Sequence, residues 1–275
     1  MMKTSSSKSP IRQLYQRLIY QTRVEYSPPD FQKSAIVFAP HQDDETLGCG
    51  GTIIRKKQAG AEVKVVFMTD GGKSHAHLIS EDELKSIRAQ EALAAAQKLG
   101  LSQTDILFLE VPDGTLANHQ EAAIQKVAKI LLKYLPEEIF VPYHQDGISD
   151  HNATAYIVLL ALRRCGFNST VYEYPIWFFN HWPWTPFEGD FKKFLLTLSQ
   201  NIKYSWRFLK EFKSSVYIGE VLDQKRSALE EHKSQVTQLI LDPQWLTLRD
   251  VSQGDFLDCF FQNYELFRSS HLNKK

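Results

Sequence analysis

Apolar runs of strand length alternate with helical patterns through the first two thirds of this chain, and that rhythm is its tightest constraint. Strand-type runs fall at 35–39, 62–69, 105–109, 138–141 and 171–176. Between them lie a Gly-rich turn with a helix at 52–58, then helices at 81–99, 121–134 and 152–164. A strand that returns parallel to its predecessor needs a crossover, usually helical. The alternation therefore predicts a mostly parallel α/β sheet flanked by helices. In such sheets ligands bind beyond the carboxyl ends of the strands. The first four runs here end in polar residues: PHQDDE, then TDGG, then VPDG, then PYHQDGISDH. The four clusters are expected to meet on one rim.

Two of these clusters have the composition of a metal site. His41 and Asp44 stand three residues apart in a strand-to-helix turn, which can aim both at one point. An imidazole nitrogen and a carboxylate oxygen together suit zinc. A hydrolytic site keeps three protein ligands and an open position, and His151, after the fourth run, offers the third. Asp43 neighbours a ligand and is placed to act as a general base. Asp150 is placed to accept a hydrogen bond and orient a neighbour. Glu45 can cap the following helix. Taken alone, one HxxD in a turn is a capping motif; two such clusters at the ends of parallel strands favour a metal hydrolase.

At these residues the sequence resembles the PIG-L/LmbE-like family of zinc-dependent N-acetylglucosaminyl deacetylases. The resemblance rests on APHQDDETLGCGGTI and DGISDHNAT, supported in order by TDGG, IRAQEALAAAQKLG, VPDGTL and KRSALEEHKSQ, over about residues 34–235. It implies a Rossmann-like sheet and one Zn²⁺ per chain on His41, Asp44 and His151, with Asp43 as general base. It implies as substrate a small amino-sugar conjugate bearing an N-acetyl group. Arg88 and Asp113 match positions that often touch substrate in the family; the alternatives are a helix-face ion pair and a turn residue. The family often has a second His three residues before the zinc His, where this chain has Ile148. Tyr143 and His144 are the nearby candidates for substrate contact and for the missing donor. Another metal-assisted amide or phosphoester hydrolase, or a non-catalytic sugar- or zinc-binding module, are the competing readings.

The remaining features narrow the setting. Lys+Arg and Asp+Glu balance at 32 each, which gives no support for a nucleic-acid partner. Three widely spaced cysteines predict a reduced, cytoplasmic protein without a disulfide framework. No apolar stretch is long enough to span a bilayer. The whole of 1–275 is expected to form a single domain with an elaborated C-terminal third, 1–30 being an N-terminal extension. In that extension Ile11, Leu14, Tyr15, Leu18 and Ile19 fall at helical spacing with Arg12, Gln13, Gln16 and Arg17 between them. The pattern predicts a short helix docked on the body; the alternative is a basic helix on a membrane surface. Further helices are expected over 191–213 and 222–235, with a short strand at 217–220. Cys49 is expected to be a buried thiol, His75 and His77 to sit in a solvated loop, and Trp182, Trp184 and Phe187 to cover the core, with stacking on a sugar as the alternative. His232 is either a support for the site or a surface residue.

Overall fold

The computed structural model describes residues 10–181, 183–185 and 191–272. Trp182, Phe187 and the side chain of Ile11 lie outside the described residues. Eight strands among them form one sheet. In chain order they are β1 (Val24–Glu25), β2 (Ala35–Ala39), β3 (Val63–Thr69), β4 (Ile106–Val111), β5 (Glu138–Pro142), β6 (Ser169–Tyr174), β7 (Ser214–Tyr217) and β8 (Tyr264–Leu272). The helices that matter to the site are α1 (Pro10–Thr22), α2 (Asp44–Gln58), α3 (Glu81–Lys98), α4 (Gln120–Tyr134), α5 (Ser149–Cys165), α6 (Phe191–Glu211), α7 (Leu222–Leu229) and α8 (Lys233–Val236).

The sheet order is β1-β7-β8-β6-β5-β2-β3-β4. From β6 to β4 every neighbour is parallel, while β8 runs antiparallel to both β6 and β7. All five residues of β2 are buried, as expected of a strand covered on both faces. Its side chains alternate between the two cores: Ala35, Val37 and Ala39 enter one, Ile36 and Phe38 the other. From β2 the chain builds outward through β3 and β4, then returns to place β5 on the other side of β2. The order reverses there, so a crevice opens beyond the carboxyl ends of β2 and β5. The first and fourth polar clusters follow those two strands.

Four segments differ from the sequence expectation. The short strand expected at 217–220 is β7 at Ser214–Tyr217, and a 3₁₀ turn follows at Gly219–Val221. The Gly-rich stretch is not a turn: α2 starts at Asp44 and runs straight through it. The glycines serve close packing. A Cβ on Gly48 would stand 2.3 Å from the Tyr174 ring, and one on Gly51 would stand 2.4 Å from Ile218 Cγ2. The helix expected over 222–235 breaks into α7 and α8, with His232 at the break. β8 carries the buried carboxylate of Glu265 and went unrecognised in the sequence. The N-terminal helix docks by Tyr15 and Ile19, both buried, and β1 continues from it into the sheet beside β7.

Candidate metal centre

The loop after β2 turns into α2, so His41 and Asp44 face each other across its first residues. The His41 backbone N–H donates to Asp44 Oδ2 at 3.1 Å, and its Nδ1 lies 3.3 Å from the same oxygen. His151, in the first turn of α5, brings its Nε2 to 3.3 Å from that oxygen. One donor atom from each of the three residues lies within 4.8 Å of the others. The structure thus gathers His41, Asp44 and His151 at the crevice between β2 and β5.

The other edge of the His41 ring faces two more carboxylates. Its Nε2 is 3.2 Å from Asp113 Oδ1 and 3.6 Å from Asp150 Oδ2. Asp150 also accepts the Gly114 and Leu116 N–H groups, at 2.7 and 3.2 Å. Asp113 accepts the Lys73 N–H at 3.0 Å, and its own N–H donates to Asp70. Three strand-end loops are thereby tied around one imidazole. Burial opposes charge on His41, but Asp113, Asp150 and Asp44 outweigh it and push the ring's pKa well up. Burial likewise opposes charge on Asp113, yet His41, the Lys73 N–H and Arg88 hold its carboxyl far below the usual range.

Asp43 stands beside this set in a strained backbone, with φ at +144°, a region a non-glycine residue rarely enters. Its N–H donates to Glu45 Oε2 at 3.0 Å, so Glu45 does reach back as a cap. Its carboxylate lies 3.6 Å from Arg88 Nη2. Burial lifts the Asp43 pKa to about 7, with Arg88 opposing and Asp44 adding to the rise. Arg88 itself is buried and donates to Gln42 O at 2.7 Å and Gly71 O at 3.2 Å. It is not a surface ion pair on a helix face; it pins two loops and faces the Asp43 carboxylate.

His232 resolves in favour of support for the site. Its ring is fully buried, with Nε2 3.0 Å from Glu45 Oε1 and 3.4 Å from Thr46 Oγ1. The other side of Glu45 holds Asp43, so His232 reaches the base through one carboxylate. Asp146 was missed in the sequence. It accepts the N–H groups of Ile176, Trp177 and Phe178 at 2.9–3.0 Å, and its Oδ2 lies 2.9 Å from His151 Nδ1. Asp150 orients His41, and it is Asp146 that faces His151. A carboxylate in the same strand-end loop as Tyr143 and His144 was the available signal.

Other expectations need correction. Tyr143 was expected to touch substrate, but it is fully buried; its hydroxyl donates to Glu211 at 2.8 Å and accepts from Arg207, bracing α6. His75 is not solvated: it is buried, stacks on Trp245 with ring centroids 4.1 Å apart, and its Nε2 lies 2.9 Å from Leu246 O. His77 is exposed in the same loop. His144 is half-buried, with Nδ1 2.6 Å from Glu173 Oε2. As expected, Trp184 packs in the core between Phe179 and Phe208, and Cys49 is a buried thiol.

The residues present fit a divalent cation. Both His151 ring nitrogens are buried without a hydrogen-bond partner among the described residues; the close Asp146 contact lies off the hydrogen-bond direction. An imidazole sealed from water with its nitrogens unsatisfied is costly unless a Lewis acid takes one of them. The surrounding carboxylates of Asp43, Asp44, Asp113 and Asp150 also call for positive charge. Two imidazoles and one carboxylate, in a crevice with a further carboxylate at hand, make the donor set of a metal-assisted hydrolase.

The comparisons with known proteins agree with that class. Residues 36–162 match the family described as PIG-L: GlcNAc-PI de-N-acetylase. This stretch contains the loops that carry His41, Asp44, Asp113 and His151. The chain is 24% identical over 257 residues to the 1D-myo-inositol 2-acetamido-2-deoxy-alpha-D-glucopyranoside deacetylase of Rhodococcus opacus, covering 81% of this chain and 88% of that one. It is 26% identical over 138 residues to the diacetylchitobiose deacetylase of Thermococcus kodakarensis, about half of each chain. The structure of N,N'-diacetylchitobiose deacetylase from Pyrococcus horikoshii shares the fold, with a TM-score of 0.63 at 21% identity over 98% of this chain and 95% of that one. Over residues 36–162 the chain thus resembles the PIG-L family, and its fold is that of the Pyrococcus horikoshii deacetylase.

Proposed function

We propose that this protein is a zinc-dependent N-deacetylase that hydrolyses the acetamide of an N-acetylglucosamine-type conjugate. The observation that carries the reading is the sealed His151 ring, its nitrogens unsatisfied, facing Asp44 with His41 and Asp43 alongside. The match to PIG-L, and relatives named as deacetylases of acetylated amino sugars, support the acetamide as the target. His41, Asp44 and His151 would hold one Zn²⁺. When bound, the ion supplies a Lewis acid for the acetyl carbonyl and acidifies water.

In this reading Asp43 takes the proton of the attacking water and later returns one to the departing amine. Arg88 and Glu45 hold Asp43 in its strained position, and Asp113 with Asp150 fixes the His41 ring. His144, oriented by Glu173, is the candidate donor to the carbonyl oxygen, since Ile148 has no polar atom in its side chain. Asp113, Arg88 and Tyr143 act by positioning. Because α8 follows the His232 that supports Glu45, the C-terminal third belongs to the same functional domain. Cys49 and Cys165 are free thiols, in keeping with a cytoplasmic enzyme. No helix among the described residues is long and apolar enough to cross a membrane.

The test is acetate release from a panel of N-acetylglucosamine conjugates by the purified protein, by chelated protein, and after zinc is restored. The reading predicts release that chelation abolishes and zinc recovers, and a His151→Ala variant that neither binds zinc nor turns over. Release that survives chelation in full would overturn it.

A further inference from the structure

α1 and α6 lie side by side; one face of α6, through Arg207 and Glu211, meets Tyr143, and the face toward α1 carries none of the residues assigned to catalysis. Tyr15 hydroxyl donates to Ser205 O, and Lys213 Nζ reaches Thr22 Oγ1 at 3.2 Å, so the two helices run in the same direction. Their inner faces are buried. Their outer faces expose large apolar side chains: Leu14 and Leu18 one turn apart on α1, Ile202 and Trp206 one turn apart on α6. Trp206 is 67% exposed and Leu14 59%. Between the helices runs a groove of about 380 Å³ lined by Leu18, Thr22, Trp206, Leu209, Lys210 and Lys213. An exposed tryptophan beside three exposed aliphatic residues is an apolar patch of the kind that marks an interaction surface.

The charge around the patch is of one sign. Arg17 lies between Leu14 and Leu18 in sequence, and Lys210 and Lys213 line the groove beside Trp206. The first 24 residues contain five basic and no acidic residues, in a chain whose charges balance to zero only when the whole is counted. The one acidic residue of 198–213, Glu211, is engaged by Tyr143, Arg207 and Arg268. A second copy of this chain meeting the same patch would set lysine against lysine, which a self-complementary interface does not tolerate. An anionic surface that also accepts apolar side chains meets both requirements at once.

We propose that the α1–α6 face docks this enzyme peripherally on an anionic lipid bilayer. Leu14, Leu18, Ile202 and Trp206 enter the interfacial region while Arg17, Lys210 and Lys213 meet the headgroups. Binding of this kind combines buried apolar area with attraction to anionic lipid. Each lysine at such a surface contributes roughly fivefold in partition. The arrangement leaves the crevice between β2 and β5 to work on its substrate independently.

The experiment is flotation of the full chain with vesicles of phosphatidylcholine alone and with roughly a third phosphatidylglycerol. It is run at low and high salt, beside deacetylase assays on a water-soluble substrate. The full chain should float with the anionic vesicles at low salt, be released at high salt, and ignore the neutral ones. Lys210→Gln with Lys213→Gln should weaken partition roughly twentyfold at low salt. Trp206→Ser should weaken it as well, while soluble-substrate turnover stays unchanged in both variants. Equal binding to both vesicle types, or none to either, overturns the proposal. So does a concentration-dependent dimer that Trp206→Ser abolishes in protein that floats with no vesicle; the face then belongs to a second copy.

Discussion

Two buried charged clusters touch the same helix, and they differ in how far their polar atoms are satisfied. Along the middle of α2, Glu265 accepts the Gly51 and Thr52 N–H groups, the Thr52 hydroxyl and Lys225 Nζ, all at 2.6–2.8 Å. Lys225 Nζ also donates to Leu47 O at 2.8 Å. Both charged groups have matched partners, so nothing is left for a ligand to do. At the N-terminal end of α2, three carboxylates crowd His41, and His151 is sealed in without a hydrogen-bond partner among the described residues. The first cluster closes on itself, whereas the second is complete only with a cation. Burial and charge are common to both; the contrast in satisfaction separates a structural pair from a working site.

The contrast is sharpest when each cluster is damaged separately. Lys225→Met leaves Glu265 buried and unpaired, which costs about 3–5 kcal/mol of stability. Denaturant unfolding should show that loss, with metal content per folded chain unchanged. Metal lost at unchanged stability would break the distinction between the clusters. Asp146→Asn should act the other way. It removes the carboxylate that faces His151 and should weaken zinc affinity by roughly 10–100-fold. Competition with a chelator reads that shift, and an unchanged affinity would show that Asp146 serves only the 176–178 backbone.

Much of the site was legible because it sits at strand ends. His41, Asp44, Asp113 and His151 all follow apolar runs whose parallel order is written in the βα alternation, so their convergence on one rim follows from topology. The supports were harder to see. His232 meets Glu45 across 187 residues of chain, and no local pattern announces such a contact. Arg88 looks like any helix arginine until the loops fold over it. The GCGG stretch reads as a turn by composition. It is helical, and its glycines are there because Tyr174 and Ile218 leave no room for side chains. β8 was obscured for a related reason, since Glu265 interrupts its apolar pattern with a carboxylate that only α2 and Lys225 explain.

The central claim divides labour between two adjacent aspartates, Asp43 as base and Asp44 as ligand, and their asparagine variants test it directly. Zinc content and acetate release are measured on both. Asp43→Asn keeps the shape of the side chain and its distance from the donor set, but cannot take a proton. It should retain zinc and lose about 10²–10⁴ in turnover. Asp44→Asn removes the charged oxygen that faces both His41 and His151, and should lose the metal itself. Zinc lost from Asp43→Asn but kept by Asp44→Asn, or full turnover in Asp43→Asn, would contradict the account.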